Sequence, residues 1–211
     1  MKVGFSHSAV TKNAILMKRL LTISTIGVVG LIAVLGTFWF NTQPVWPVDR
    51  KIETNRIEGL PVTNRKVIEF IQAEGQDLAP TYESVVCTEF VIKVINKVKP
   101  LTRKEKNDIR IITDCQLDSL VEADSPIIKG VQTALLKSNK GIEIKEGREV
   151  LPGDFVQFWK VFRGRAYGHC GIVLDIEPKK TLTLYSSHPF SGGYGTQAYL
   201  WPEKIYFVRL K

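Results

Sequence analysis

The 211-residue chain reads as an α+β protein, with N-terminal helices packed on an antiparallel sheet and one transmembrane helix ahead of them. Three observations give that class. An uncharged apolar run lies near the start, apolar residues recur at helical spacing in Asn64–Ala73 and Val86–Ile95 with helix-capping signals further on, and after Gly153 the pattern changes to strands. With 44% apolar residues the chain can bury one full core, so residues 63–211 are expected to form a single domain.

Residues 1–19 form a basic tail with Lys2, Lys12, Lys18 and Arg19 and no acidic residue. Leu20–Phe40 follows, 21 residues without a charge, long enough to cross a hydrocarbon layer of roughly 30 Å as a helix. The run exceeds the usual signal-peptide core of about 7–15 residues, and no small-x-small cleavage motif follows between Gly36 and Thr42. A retained single-pass anchor is therefore expected, with a long signal sequence as the alternative; Met17 is a possible second start. Positive charge marks the cytoplasmic side, which puts the rest of the protein outside the cytoplasmic membrane, in the periplasm. Phe38, Trp39, Phe40 and Trp46 would meet the outer interface. Residues 41–62, with Pro44, Pro47 and Pro61 and no apolar period, read as a linker.

Asn64–Ala73 places Val67, Ile68, Phe70 and Ile71 near one helical face, with Gly75 as its stop. The next helix carries Val86, Phe90, Val91, Val94 and Ile95 on its apolar stripe and ends before Pro100. Cys87 borders that stripe. With Ser84 as N-cap, Cys87 takes the third helical position, where free N–H groups and the dipole favour a thiolate. Thr102-Arg103-Lys104-Glu105 is a capping box, and Ser125-Pro126 opens a further helix running towards Gly141. These segments read as a helical insertion flanking the site. Strands are expected at Asp154–Trp159, Cys170–Ile176, Thr181–Ser187 and Lys204–Leu210, and Ser191–Gly195 as a flexible loop.

Cys87 at a helix start and His169 at a strand start stand in the order of parts of a papain-like thiol hydrolase, where a thiol needs a base and the base an orienting group. Strand alternation supplies the third residue. If Leu182 and Leu184 share the apolar face of Cys170, Ile172 and Leu174, then Ser187 shares the face of His169. A slip of one residue puts Ser186 or His188 there instead, and these stay open. Asp154 is read as structural, starting a strand after a Gly-Asp turn. Arg163 and Arg165 are read as solvated loop charges, with contact to a substrate carboxylate as their other reading.

Of the net charge of +8, the first 40 residues contribute four positive charges; the remainder holds 25 basic and 21 acidic residues. That mild bias suits an anionic wall or membrane surface and excludes a nucleic-acid footprint. Three cysteines leave at least one thiol free, with Cys87 the choice; Cys115 and Cys170 form either a disulfide or two separate buried thiols. No spaced Cys/His cluster suggests a metal, and no cofactor is expected.

The segments Val86-Cys87-Thr88-Glu89-Phe90-Val91, Pro152-Gly153-Asp154-Phe155-Val156-Gln157-Phe158 and His169-Cys170-Gly171-Ile172-Val173 resemble the three signature blocks of the NlpC-type cell-wall cysteine peptidases and the related cysteine, histidine-dependent amidohydrolases (CHAP-like). The resemblance covers residues 64–211. It implies a papain-like NlpC-type fold, hydrolysis of amide bonds in peptidoglycan stem peptides, and a substrate-binding role for Tyr82, whose other reading is an aromatic anchor of the loop. Thr88-Glu89 stands where the family has Ser-Gly, and the stretch between Cys87 and Gly153 is longer than in compact members. The alternatives to a wall hydrolase are an acyltransferase or amidase on another substrate, or a non-catalytic wall-binding module.

Overall fold

The computed structural model describes residues 46–48 and 52–211. The basic tail and the membrane helix expected at 20–40 lie outside the described residues. Among the described residues no helix is long and apolar enough to cross a membrane.

The chain is α+β. Among the described residues six α-helices, α1 (Thr54–Glu58), α2 (Val62–Leu78), α3 (Cys87–Val98), α4 (Arg103–Ile109), α5 (Leu117–Glu122) and α6 (Gly130–Lys137), precede most of the sheet. The strands are β1 (Trp46–Pro47), β2 (Gly141–Ile144), β3 (Phe155–Phe162), β4 (Arg165–Glu177), β5 (Thr181–His188), β6 (Gly193–Leu200) and β7 (Lys204–Leu210). They form one sheet in the order β1-β6-β5-β4-β3-β7-β2, every pair antiparallel; β1 adds only two residues to the six main strands.

The expected linker 41–62 is not a free spacer where it is described. β1 pairs with β6, and Ile52 and Ile57 are buried in the main core. Their apolar side chains stand too far apart to show a period, yet each finds a place on the domain.

α2 is longer than the apolar stripe suggests and runs through Gly75. Glycine is there for space: a Cβ would lie 2.5 Å from the ring of Tyr194. α3 buries Phe90, Val91, Ile92, Val94 and Ile95, each such side chain worth about 1.5–3 kcal/mol on leaving water. It packs on β4 and β5 over a core that includes Val67, Ile71, Phe155, Ile172 and Tyr185. α4 opens with the expected capping box of Thr102 and Glu105.

The other face of the sheet is also dry. Val156, Phe158, Val173, Leu182, Leu184, Tyr199 and Phe207 form a second cluster with Ile144 and Val150. All of these residues come from strands or loops, with Val150 of the β2–β3 connection and Trp201 of the β6–β7 connection packed on that face. Leu182 and Leu184 therefore sit opposite to the side expected, with Val173 rather than with Ile172. β5 is buried on both faces, so the alternation of its residues no longer says which face is which.

Asp154 carries structural weight. Fully buried, it accepts from Asn64 Nδ2 at 2.8 Å and Leu151 N at 2.8 Å and forms two bonds with Arg209 at 2.7 and 2.8 Å. It joins the start of α2, the turn before β3, and β7.

Candidate active site

Cys87 is the first residue of α3, and Val86, which makes no side-chain cap, is the N-cap. Ser84 was the expected N-cap; instead its hydroxyl donates to Thr81 O at 2.9 Å within the turn that precedes the helix. The correction moves Cys87 from the third helical position to the first, and its own N–H is among those that no helix carbonyl can reach. The loop carrying it is fastened from the sheet side. Tyr82 N donates to Gly192 O at 3.0 Å, Tyr194 N to Ala79 O at 2.9 Å, and the Ser187 hydroxyl to Val85 O.

This last bond removes Ser187 from the expected orienting role. Its side chain faces the cysteine loop, on the opposite side of β5 from its neighbour Ser186. Ser186 Oγ lies 2.9 Å from His169 Nε2 and donates to Cys170 O at 2.9 Å. With the hydroxyl proton on Cys170 O, the oxygen lone pairs accept from His169 Nε2–H. In that tautomer Nε2 is protonated and the Nδ1 lone pair is available. Gly171 makes this approach possible: a Cβ there would stand 2.8 Å from Tyr185 O and 3.2 Å from Ser186 Cβ.

His188, the other alternative, is occupied elsewhere. Its Nδ1 accepts from Phe190 N at 3.0 Å, and burial, with the charge of His169, lowers its pKa to about 4. It is a neutral ring packed edge-on at 5.2 Å from the His169 centroid. Phe158 and Tyr199 complete the aromatic collar around the imidazole, with centroids at 5.7 and 5.4 Å.

The N-terminal end of α3 meets β4 at residues 169 and 170, so the Cys87 sulfur interacts with both successive side chains. A hydrogen bond from the Cys170 thiol, together with the charge of and hydrogen bond with His169, holds the Cys87 thiol well below its ordinary range, against the opposing effect of burial. The same contact and complete burial push the Cys170 thiol up. Thr88 Oγ1 touches both sulfurs, at 3.9 Å from Cys87 and 3.8 Å from Cys170. Tyr82 is half-buried, and its phenol is raised by desolvation and, after that, by the charges of Cys87 and Cys170.

Cys87 and His169 open into a groove of about 240 Å³, whose lining includes Thr88, Gln157, Trp159 and Gly168 from the core and Arg110, Ile111 and Leu117 from the insertion. Gln157 escaped the sequence reading. It is buried and donates to His169 O at 3.2 Å. The signal was a lone carboxamide between Phe155 and Trp159 on one face of β3. Glu89, where the resembled family has glycine, forms a two-bond pair with Arg110 at 2.6 and 2.9 Å that ties α3 to the insertion.

All three cysteines are free; Cys115 is exposed and Cys170 is buried, so the structure has neither the disulfide nor the pair of buried thiols expected of them. Ser191–Gly195, expected as a loop, is half strand: β6 begins at Gly193. Arg163 occupies the β3–β4 turn and Arg165 begins β4, both exposed and outside the groove. Among the described residues no group of three His, Cys, Asp or Glu side chains converges as a metal site would. The chain matches no family model, no curated protein and no solved structure.

Proposed function

We propose that the chain is a papain-like cysteine amidohydrolase of the NlpC and CHAP-like kind, cleaving amide bonds in peptidoglycan stem peptides outside the cytoplasmic membrane. The observation that carries this reading is the order of contacts Ser186–His169–Cys87, in which one imidazole nitrogen meets a serine hydroxyl that also reaches a backbone carbonyl, and the ring lies beside a thiol of lowered pKa. Choice of the wall as substrate comes from the sequence resemblance and from the apolar run at 20–40, which exports the domain as an anchor.

His169 Nδ1 takes the proton of Cys87, and the thiolate attacks the amide carbonyl carbon. The oxyanion is met by the free N–H of Cys87 at the head of α3. The imidazolium then gives its Nδ1 proton to the leaving nitrogen as the C–N bond breaks, and the acyl group stays on sulfur as a thioester. Water loses a proton to Nδ1 and attacks the thioester; the thiolate leaves and regains that proton. Nε2–H stays on Ser186 throughout, so the ring never swings.

Mass spectrometry of purified peptidoglycan after incubation with the protein tests the reading. New stem-peptide termini are expected with the natural sequence and none with Cys87→Ala. Digestion that survives Cys87→Ala would give the nucleophile's role to another residue.

A further inference from the structure

We infer that the groove beside Cys87 is a subsite for an uncharged, apolar side chain on the acyl part of the substrate, with Ile111 and Leu117 of the insertion setting that preference; the inference rests on the amidohydrolase reading above. Arg110 is the cation in this lining, and its charge is already paired. Its Nε and Nη2 go to Glu89 and its Nη1 to Asn107 Oδ1 at 3.1 Å, so a substrate carboxylate would have to compete with the Glu89 carboxylate for it.

Thr88 Oγ1 lies against the two sulfurs and the Gln157 amide donates to His169 O, while Trp159 and Ala166 add carbon to the walls that Ile111 and Leu117 supply. The Trp159 indole N–H donates to Ile128 O at 2.9 Å, which turns the polar edge of the ring inward. Gly168 lets that ring lie against β4, since a Cβ would come within 2.6 Å of Trp159 Cζ3. Ile111 faces this fixed ring from a left-handed backbone, φ 55, that a β-branched residue rarely adopts. Gly130 leaves it room; a Cβ there would meet Ile111 Cγ1 at 2.7 Å. A conformation this costly persists only where the surroundings enforce it, and such positions gather at ligand-binding sites. Leu117, 40% exposed, lies on the open side of the groove at the first position of α5, and the Asp118 carboxylate holds that helix to Ala166 N at 2.6 Å. An apolar ligand group would cover it.

The test uses three peptidyl chloromethyl ketones that carry leucine, lysine or glutamate next to the ketone, with Cys87 labelling followed by intact-protein mass spectrometry. Each rate is divided by the same protein's rate with iodoacetamide, which has no side chain to place. The leucine probe is expected to label at least about 10-fold faster than either charged probe. Leu117→Asp, at a helix position where acidic residues are accommodated, should cut the leucine preference and raise labelling by the lysine probe. Equal normalised rates for the three probes, with iodoacetamide still reacting fast, would overturn the subsite and leave the amidohydrolase reading intact. A Cys87 inert to iodoacetamide as well would overturn that reading and the subsite with it.

Discussion

Replacing Ser186 with alanine removes the acceptor that holds the His169 Nε2 proton. The bond is 2.9 Å long and becomes charge-assisted each time the ring turns to imidazolium. Hydrogen bonds to charged groups contribute about 1.5–3 kcal/mol, which corresponds to a fall of about 10- to 150-fold in kcat/KM. Ser186 lies in a strand paired on both sides, so the loss of one hydroxyl should cost the fold only about 1 kcal/mol. Initial-rate kinetics on an amide substrate give the first number and urea unfolding the second. The pH dependence of Cys87 alkylation should also move to higher pH in Ser186→Ala, because the ring that stabilises the thiolate is no longer held. Ser187→Ala is the comparison: it frees Val85 O, should cost about 0.5–1.5 kcal/mol of stability, and should leave the alkylation profile in place. A Ser186→Ala protein within twofold of the natural rate, beside a Ser187→Ala protein with the large loss, would refute the tautomer reasoning.

Arg209→Met strips a buried carboxylate of its ion pair and should destabilise the protein by about 3–5 kcal/mol in chemical denaturation; Asp154 is the group left uncompensated. His188 resists protonation in the folded state down to about pH 4 but takes a proton near pH 6.5 when unfolded. Stability should therefore fall as pH drops through that window, by up to about 3 kcal/mol at its lower end, and His188→Asn, which keeps an acceptor for Phe190 N, should flatten the fall between pH 7 and 5. Equal slopes for the two proteins would remove His188 as the cause. Gly75→Ala forces a methyl against Tyr194 and should lower stability by about 1–3 kcal/mol; a neutral result in thermal melts would show that the ring has room to move.

The parts of the fold carried by strong local signals were legible in the sequence: the apolar stripe of α3, the apolar runs of β3 and β4, and the Thr102–Glu105 capping box. Cys87 and His169 were found because their types and order carry chemistry. The third residue was misread for a physical reason. β5 is buried on both faces, so its leucines gave no sign of their side, and a bulge between Val173 and Asp175 shifts the pairing within β4. Glycines misled twice. Gly75 was read as a stop and Gly193 as part of a loop, whereas each serves a close approach, of Tyr194 to α2 and of Ala79 O to β6. Such contacts join residues more than a hundred positions apart and leave no local mark. The groove walls likewise depend on tertiary placement, since Ile111 and Leu117 belong to an insertion that Glu89, Asp118 and Trp159 fasten to the rest of the domain.

The most direct measurement is the rate of Cys87 alkylation by iodoacetamide from pH 5 to 9, in the natural sequence and in His169→Ala. Fast labelling that persists below the ordinary thiol range, and that retreats to higher pH without the imidazole, is predicted. Labelling no faster than a free thiol, or a profile that His169→Ala leaves unmoved, would contradict the pairing of sulfur and imidazole on which the proposed catalysis depends.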